Sequence, residues 1–216
     1  PAKSFIDLLS KCGEYDYYAF ADQDDYWHQD KIQRGIHKLC QQEGPALYCS
    51  NAVLVGKDLK SLGRNVYKTQ TRTDFETIIC AGGLLGCTMI FNDELARIIK
   101  ASKNHGKMVL HDFYIAAVCV SIGGNIIYDS DATMKYRQHG ENVVGSHGLL
   151  GTVIGRVRDI YTKESIGIAD QARSILFDYK ENIEVNNQKW LEQVAHYNDN
   201  NKNRLKLAFS VRTKYI

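Results

Sequence analysis

Strand-like and helical runs alternate along residues 1–140, and that alternation restricts the chain to a small set of architectures. "SFIDLLSKC" (4–12) has helical spacing, with Phe5, Leu8, Leu9 and Cys12 on one face. "DYYAFA" (16–21) is strand-like by its aromatic content. "HQDKIQRGIHKLCQQ" (28–42) sets Ile32, Ile36, Leu39 and Cys40 at i, i+4, i+7 and i+8, an amphipathic helix. "ALYCSNAVLV" (46–55) reads as a second buried strand and residues 56–72, polar and glycine-bearing, as a loop or small excursion. Thr73 or Asp74 caps a short helix in "TDFETIICA", and "GGLLGCTMIF" (82–91) is a glycine-opened strand. Asn92 then caps a helix whose first turn is acidic, which suits the helix dipole. "HDFYIAAVCVSIG" (111–123) is a largely apolar helix stopped at Gly123–Gly124, followed by two short strands, "NIIYDS" and "ATMKYRQH".

Such alternation predicts an α/β layer structure with a mostly parallel sheet flanked by helices. Composition shifts after "GENVVGSHG", so the chain divides into an α/β core over 1–148 and a mainly helical C-terminal extension over 149–216. Hydrophobic residues make up 44% of the chain, enough for a core, and the net charge of +2 gives no support to nucleic-acid binding. No apolar run approaches a membrane span, and "PAKSFIDLLSKCGEYDY" lacks the long apolar stretch of a secretory leader. The six cysteines form no C-x-x-C pair and lie mostly in apolar runs, which predicts buried thiols of a reducing compartment.

One stretch carries chemistry. In "YYAFADQDDYW" (17–27) an apolar strand ends in Asp22, Asp24 and Asp25. Ligands of open α/β sheets gather at the carboxyl ends of strands. Crowded carboxylates repel and are costly to bury without a cation, and their oxygens suit Mg²⁺ or Mn²⁺. The competing interpretation is a solvated acidic turn that caps the next helix, a role open to Asp25.

"FADQDDYWHQDKI" resembles the D-x-D region of family 2 glycosyltransferases of the GT-A fold, most closely their rhamnosyltransferase-like branch. "GGLLGCTMIFN", "HDFYIAAVCVSIGG" and "YRQHGENVVG" are similar to three further blocks of that family, in the same order. The resemblance implies a metal-dependent, inverting transfer of a sugar from a nucleotide-sugar donor to a saccharide or lipid-linked acceptor, in bacterial surface polysaccharide synthesis. It implies Asp24 as the direct metal ligand, Asp22 on the ribose or on the metal through water, and Asp25 in contact with substrate. His139 becomes a further ligand or a loop-ordering residue. Arg137 pairs with diphosphate or forms a surface ion pair. Asp112 becomes the base, or with His111 a helix cap; His111 otherwise contacts donor or acceptor. Trp27 walls the sugar pocket or packs at the helix start. Gly82, Gly83 and Gly86 admit substrate closely, or form a turn and a bulge.

Family members begin with strands that grip the nucleotide, and this sequence has no counterpart of them before residue 16. The expectation is therefore an exposed apolar sheet edge that pairs with a second copy or another chain. The alternative function is a truncated, catalytically silent module that binds a sugar nucleotide or a partner. The basic tail "KNRLKLAFSVRTKYI" (202–216) either lies on an anionic membrane surface, at the inner face of a cytoplasmic enzyme's membrane, or packs on the domain with its cations in water.

Overall fold

The computed structural model describes residues 2–102, 106–138 and 167–208. His139, most of the "YRQHGENVVG" block and residues 209–216 of the basic tail lie outside these residues.

The chain opens with helix α1 (Ala2–Lys11), strand β1 (Tyr17–Ala19) and a two-residue strand β2 (Tyr26–Trp27). Helix α2 (Lys31–Leu39), strand β3 (Ala46–Val55) and strand β4 (Ser61–Asn65) follow. Next come α3 (Phe75–Ala81), a 3₁₀ turn (Gly86–Thr88), β5 (Ile90–Asn92) and α4 (Asp93–Ala101). Helix α5 (His111–Ser121) and the long strand β6 (Asn125–Arg137) complete the α/β part. Helices α6 (Ile168–Tyr179), α7 (Val185–Ala195) and α8 (Asn201–Ala208) follow.

The fold is α/β, but the sheet is mixed rather than mostly parallel. Its order is β1-β5-β3-β6-β2, with β4 paired to β3 off this path. Among the described residues only the β3–β6 ladder is parallel; β1–β5, β5–β3, β3–β4 and β6–β2 are antiparallel. Strands β1, β3 and β6 therefore run the same way, and β5 is inserted between two of them in the opposite sense. The alternation of strands and helices in the sequence does not reveal such an insertion, because a three-residue strand carries no direction in its composition. Residues 20–25 join β1 to β2, the two ends of this strand order, so the acidic link spans the carboxyl-end side of the sheet.

Further expectations are refined in detail. Of the loop or small excursion expected over 56–72, the structure shows the excursion, since β4 pairs with the end of β3. The strand predicted over 82–91 is confined to Ile90–Asn92, because positive φ at Gly82 and Gly83 and the 3₁₀ turn occupy its first half. "NIIYDS" and "ATMKYRQH" form one strand with a register shift opposite Ser50–Asn51. Arg34 Nη2 holds that bulge together, 2.9 Å from Asp129 Oδ2 and 2.8 Å from Asp131 Oδ2. The buried face of α2 is Lys31, Gly35 and Leu39, whereas Ile32 and Cys40 are exposed. Gly35 determines that rotation: a Cβ there would lie 2.4 Å from Ile90 Cδ1, so the helix rests its bare backbone on β5. On α1 the buried residues are Ile6 and Leu9, and Leu8 faces water.

One large hydrophobic cluster combines α1, the sheet, α3, α4 and α5 with Ala169, Ala172, Ile175, Trp190, Leu191 and Leu207 of the last three helices. Helix α5 lies at its centre, buried from Asp112 to Ser121. The cysteines are free thiols; Cys49, Cys87 and Cys119 are buried and Cys40 is exposed. Among the described residues no helix is long and apolar enough to cross a membrane.

Candidate functional site

Ala21 and the acidic residues leave β1 without strand partners, and Asp22–Asp25 fold into a tight turn closed by Asp25 N–H bonding to Asp22 C=O (3.5 Å). A four-residue turn brings its first and last residues together and leaves the middle pair at the tip. The carboxylates of Asp22 and Asp25 accordingly converge, whereas Gln23 and Asp24 occupy the tip. The third member of the convergent group is Cys87, from the 3₁₀ turn before β5. Asp22, Asp25 and Cys87 each offer one ligand atom, and these atoms lie within 4.8 Å of one another. Asp24 does not belong to this group.

Each carboxylate is unusually placed. Asp25 Oδ1 accepts from the backbone N–H of Arg137 (3.1 Å). Its Oδ2 is buried and accepts no N–H or O–H bond among the described residues; the Cys87 thiol is its neighbour. Burial raises the Asp25 pKa, against the lowering pull of the Arg137 N–H. Burial also raises that of Asp22, with the charge of Asp24 adding to it and His111 opposing. The Cys87 thiol is pushed well up by burial and by the two aspartates, so it stays protonated. A half-buried carboxylate beside an exposed one fits a hard divalent cation open to solvent on one side, and a protonated thiol is a weak third donor.

Basic groups surround the turn. Lys31 is fully buried, donates from Nζ to the Cys87 carbonyl (2.7 Å), and lies 3.5 Å from the centroid of the Trp27 ring. Burial lowers its pKa to about 8, although Asp25 and Asp22 pull the other way. Trp27 is thus a cation–π platform that also packs on the cluster of Ala52, Leu54, Leu85 and Met134. Arg137, at the carboxyl end of β6, donates from Nε to the Asp24 carbonyl (2.8 Å) and from Nη1 to the Lys57 carbonyl. Its guanidinium ties the acidic turn to the β3–β4 connection through backbone oxygens.

The opposite wall is the start of α5. Asp112 is nearly buried; its Oδ2 accepts from Gly86 N–H (3.1 Å) and its Oδ1 from Phe113 N–H (2.7 Å). The cap position belongs to Leu110, which makes no side-chain cap bond, so neither His111 nor Asp112 is the cap residue. His111 is stacked on Phe5, with ring centroids 4.0 Å apart, and meets Phe20 edge-on. Burial lowers its pKa, with Asp112 and Asp22 opposing. A Cβ on Gly86 would lie 2.7 Å from His111 Nε2 and 3.1 Å from Asp112 Cβ. The close approach at Gly86 is therefore made by α5. Gly82 (φ +59°) would collide with Phe113 if it carried a side chain. Gly83 (φ +92°) would meet nothing within 4 Å, and its carbonyl accepts from the Tyr67 hydroxyl (2.8 Å).

The fold thus gathers Asp22, Asp25, Arg137, Trp27 and, across the 3₁₀ turn, Asp112 and His111. Sequence reasoning did not identify Cys87, nor the part played by Lys31. The available signal was a lysine on the glycine-bearing face of α2, a position that points inward once Gly35 is taken as the contact.

No protein-family model matches the chain, and no solved structure matches it. Among curated proteins, the dTDP-rhamnosyl transferase RfbG of Shigella flexneri is 33% identical over 153 residues. The aligned segment is 67% of this chain and 51% of that protein, so the chain spans about half the length of the curated relative it matches. This likeness supports a glycosyltransferase family.

Proposed function

We propose that the chain is the acidic-turn portion of a GT-A-type, family 2 glycosyltransferase that moves a deoxyhexose from a dTDP-sugar to a saccharide or lipid-linked acceptor during surface polysaccharide synthesis. The observation that carries this reading is the Asp22–Asp25 turn on the carboxyl-end side of the sheet, whose two carboxylates converge on the Cys87 thiol. The likeness to a dTDP-rhamnosyl transferase supplies the donor class.

In this reading Asp22 and Asp25 hold Mn²⁺ or Mg²⁺, with Asp24 at the tip of the turn near the nucleotide. A bound divalent ion supplies charge neutralisation to the diphosphate. Asp112 accepts the proton of the acceptor hydroxyl as that oxygen attacks the anomeric carbon. The bond from that carbon to the diphosphate oxygen breaks, its electron pair leaves with the diphosphate, and configuration inverts. Asp112 keeps lone pairs beyond the two it commits to the Gly86 and Phe113 N–H groups. Lys31 sits behind the turn and offsets its charge.

Calorimetry of dTDP in the presence of Mn²⁺ tests the turn. Asp25→Asn and Asp22→Asn should each weaken dTDP binding at least about tenfold, or ~1.4 kcal/mol. Asp112→Asn should bind dTDP as the wild type does, yet lose ~10²–10⁴-fold in turnover with dTDP-rhamnose and an acceptor. Equal Mn²⁺-dependent binding by wild type and both turn variants would remove the metal site from the proposal.

A further inference from the structure

Residues 106–110, which lead into α5, belong to no helix or strand. Three of their N–H groups are satisfied from elsewhere, by side chains of α6 more than sixty residues later in the chain. Val109 N–H donates to Gln171 Oε1 (2.9 Å), Lys107 N–H to Ser174 Oγ (2.8 Å), and Gly106 N–H to Asp178 Oδ2 (3.4 Å). Lys107 Nζ adds an ion pair with Asp170 (3.5 Å). Gln171, Ser174 and Asp178 are spaced i, i+3 and i+7, one stripe of a helix. From 171 to 178 a helix rises roughly 10 Å, and from 109 to 106 an extended chain covers roughly 10 Å, so the two repeats match in length. The loop runs antiparallel to the helix, and the side chains of α6 serve it as a neighbouring strand would.

The approach is close. A Cβ at Gly106 would lie 2.5 Å from Ser174 Oγ. Gln171 is only 2% exposed, a burial that an amide side chain tolerates when it is hydrogen-bonded. One turn into α5, the Tyr114 and Tyr179 hydroxyls meet at 3.1 Å. At the other end of the loop, His111 and Asp112 abut Gly86 with no room to slide.

We propose that Gln171 and Ser174 are positioning residues for Asp112: α6 sets the register of 106–110, and that register sets where the first turn of α5 meets the acidic turn. The kinetic part of this inference rests on the transferase reading. Displacing a reacting group by about 1 Å can cost ~10²-fold in rate. Gln171→Leu keeps the volume and removes the acceptor; Gln171→Glu keeps the acceptor; Ser174→Ala removes the second anchor.

Two readouts on the whole chain separate the possibilities. With dTDP-rhamnose and acceptor, Gln171→Leu should lose about tenfold or more in kcat with KM for donor within about twofold, and Gln171→Glu should recover most of the loss. Independently of any turnover, backbone amide exchange at Lys107 and Val109 should accelerate, and the His111 imidazole resonances should shift, in Gln171→Leu and Ser174→Ala but not in Gln171→Glu. A wild-type chain without turnover would sink the transferase reading and leave this inference to the exchange and His111 signals. Should Gln171→Leu not fold, Ser174→Ala carries the same test. Unchanged exchange and unchanged His111 signals in the folded variants would overturn the proposal.

Discussion

Asp25 shows at the scale of one residue how a site conflicts with stability. Its carboxyl is half-buried beside a thiol that cannot neutralise it, and burial raises its pKa. A group whose folded pKa is raised contributes stability below its unfolded pKa and loses that contribution as pH rises through the folded value. Ionising Asp25 therefore costs stability in the metal-free protein. Asp25→Asn keeps an acceptor for the Arg137 N–H and removes the charge. It should raise the metal-free melting temperature at pH 7 by roughly 1–3 °C, a small gain because water still screens part of the group. The gain should disappear below about pH 4, where both forms are neutral. A variant that melts lower than wild type at pH 7 without metal would show that the carboxylate's remaining contacts outweigh its desolvation.

At the scale of elements, short pieces are fixed by side chains that serve two masters. Asn92 is the N-cap of α4, where Oδ1 accepts from Leu95 N–H (3.2 Å). The same oxygen accepts from Ala46 N–H (3.0 Å), and Nδ2 donates to the Gly44 carbonyl (2.8 Å). One amide thus starts a helix and anchors the first residue of the central strand β3. An ordinary cap is worth ~1 kcal/mol, and leaving a second N–H unpaired adds a comparable cost. Asn92→Ala should lower stability by about 2 kcal/mol, and Asn92→Asp, which retains the acceptor, by less. Thermal melts of the three proteins check the order. Arg34 at the β6 bulge and Gly35 beneath α2 are similar cases, in which one residue decides how an element sits on the sheet.

For the whole molecule, the shared core predicts that the described part unfolds as a unit. The protein has two tryptophans. Trp27 stands at the acidic turn over Lys31, and Trp190 is buried in α7 against Phe75 of α3. Trp27→Phe and Trp190→Phe leave one reporter each. Coincident denaturant transitions from the two proteins, after correction for their own stabilities, are the expected result. Separate transitions would mean that α6–α8 form a cooperative unit of their own. Trp190→Ala should be severe, ~3–5 kcal/mol, since the ring is 2% exposed.

The sequence alone determined the elements whose cause is local. The apolar length of 111–121, the stop at Gly123–Gly124, the Asn92 cap, a cap at Thr73 or Asp74 (the structure uses Asp74) and the run 46–55 are all where spacing and turn chemistry put them, because each depends on residues within a few positions. It also determined that acidic residues follow a strand, and hence roughly where chemistry would gather. Tertiary structure decided everything that depends on which distant residues meet. The antiparallel insertion of β5 made the sheet mixed. The turn at 22–25 paired Asp22 with Asp25 and left Asp24 at the tip, and Cys87 joined them from sixty residues away. Lys31 turned inward because Gly35 gave α2 a bare face to seat on β5, a packing constraint invisible to hydrophobic periodicity. The loop that places Asp112 is held by α6, whose side chains replace a strand that local sequence gives no reason to miss.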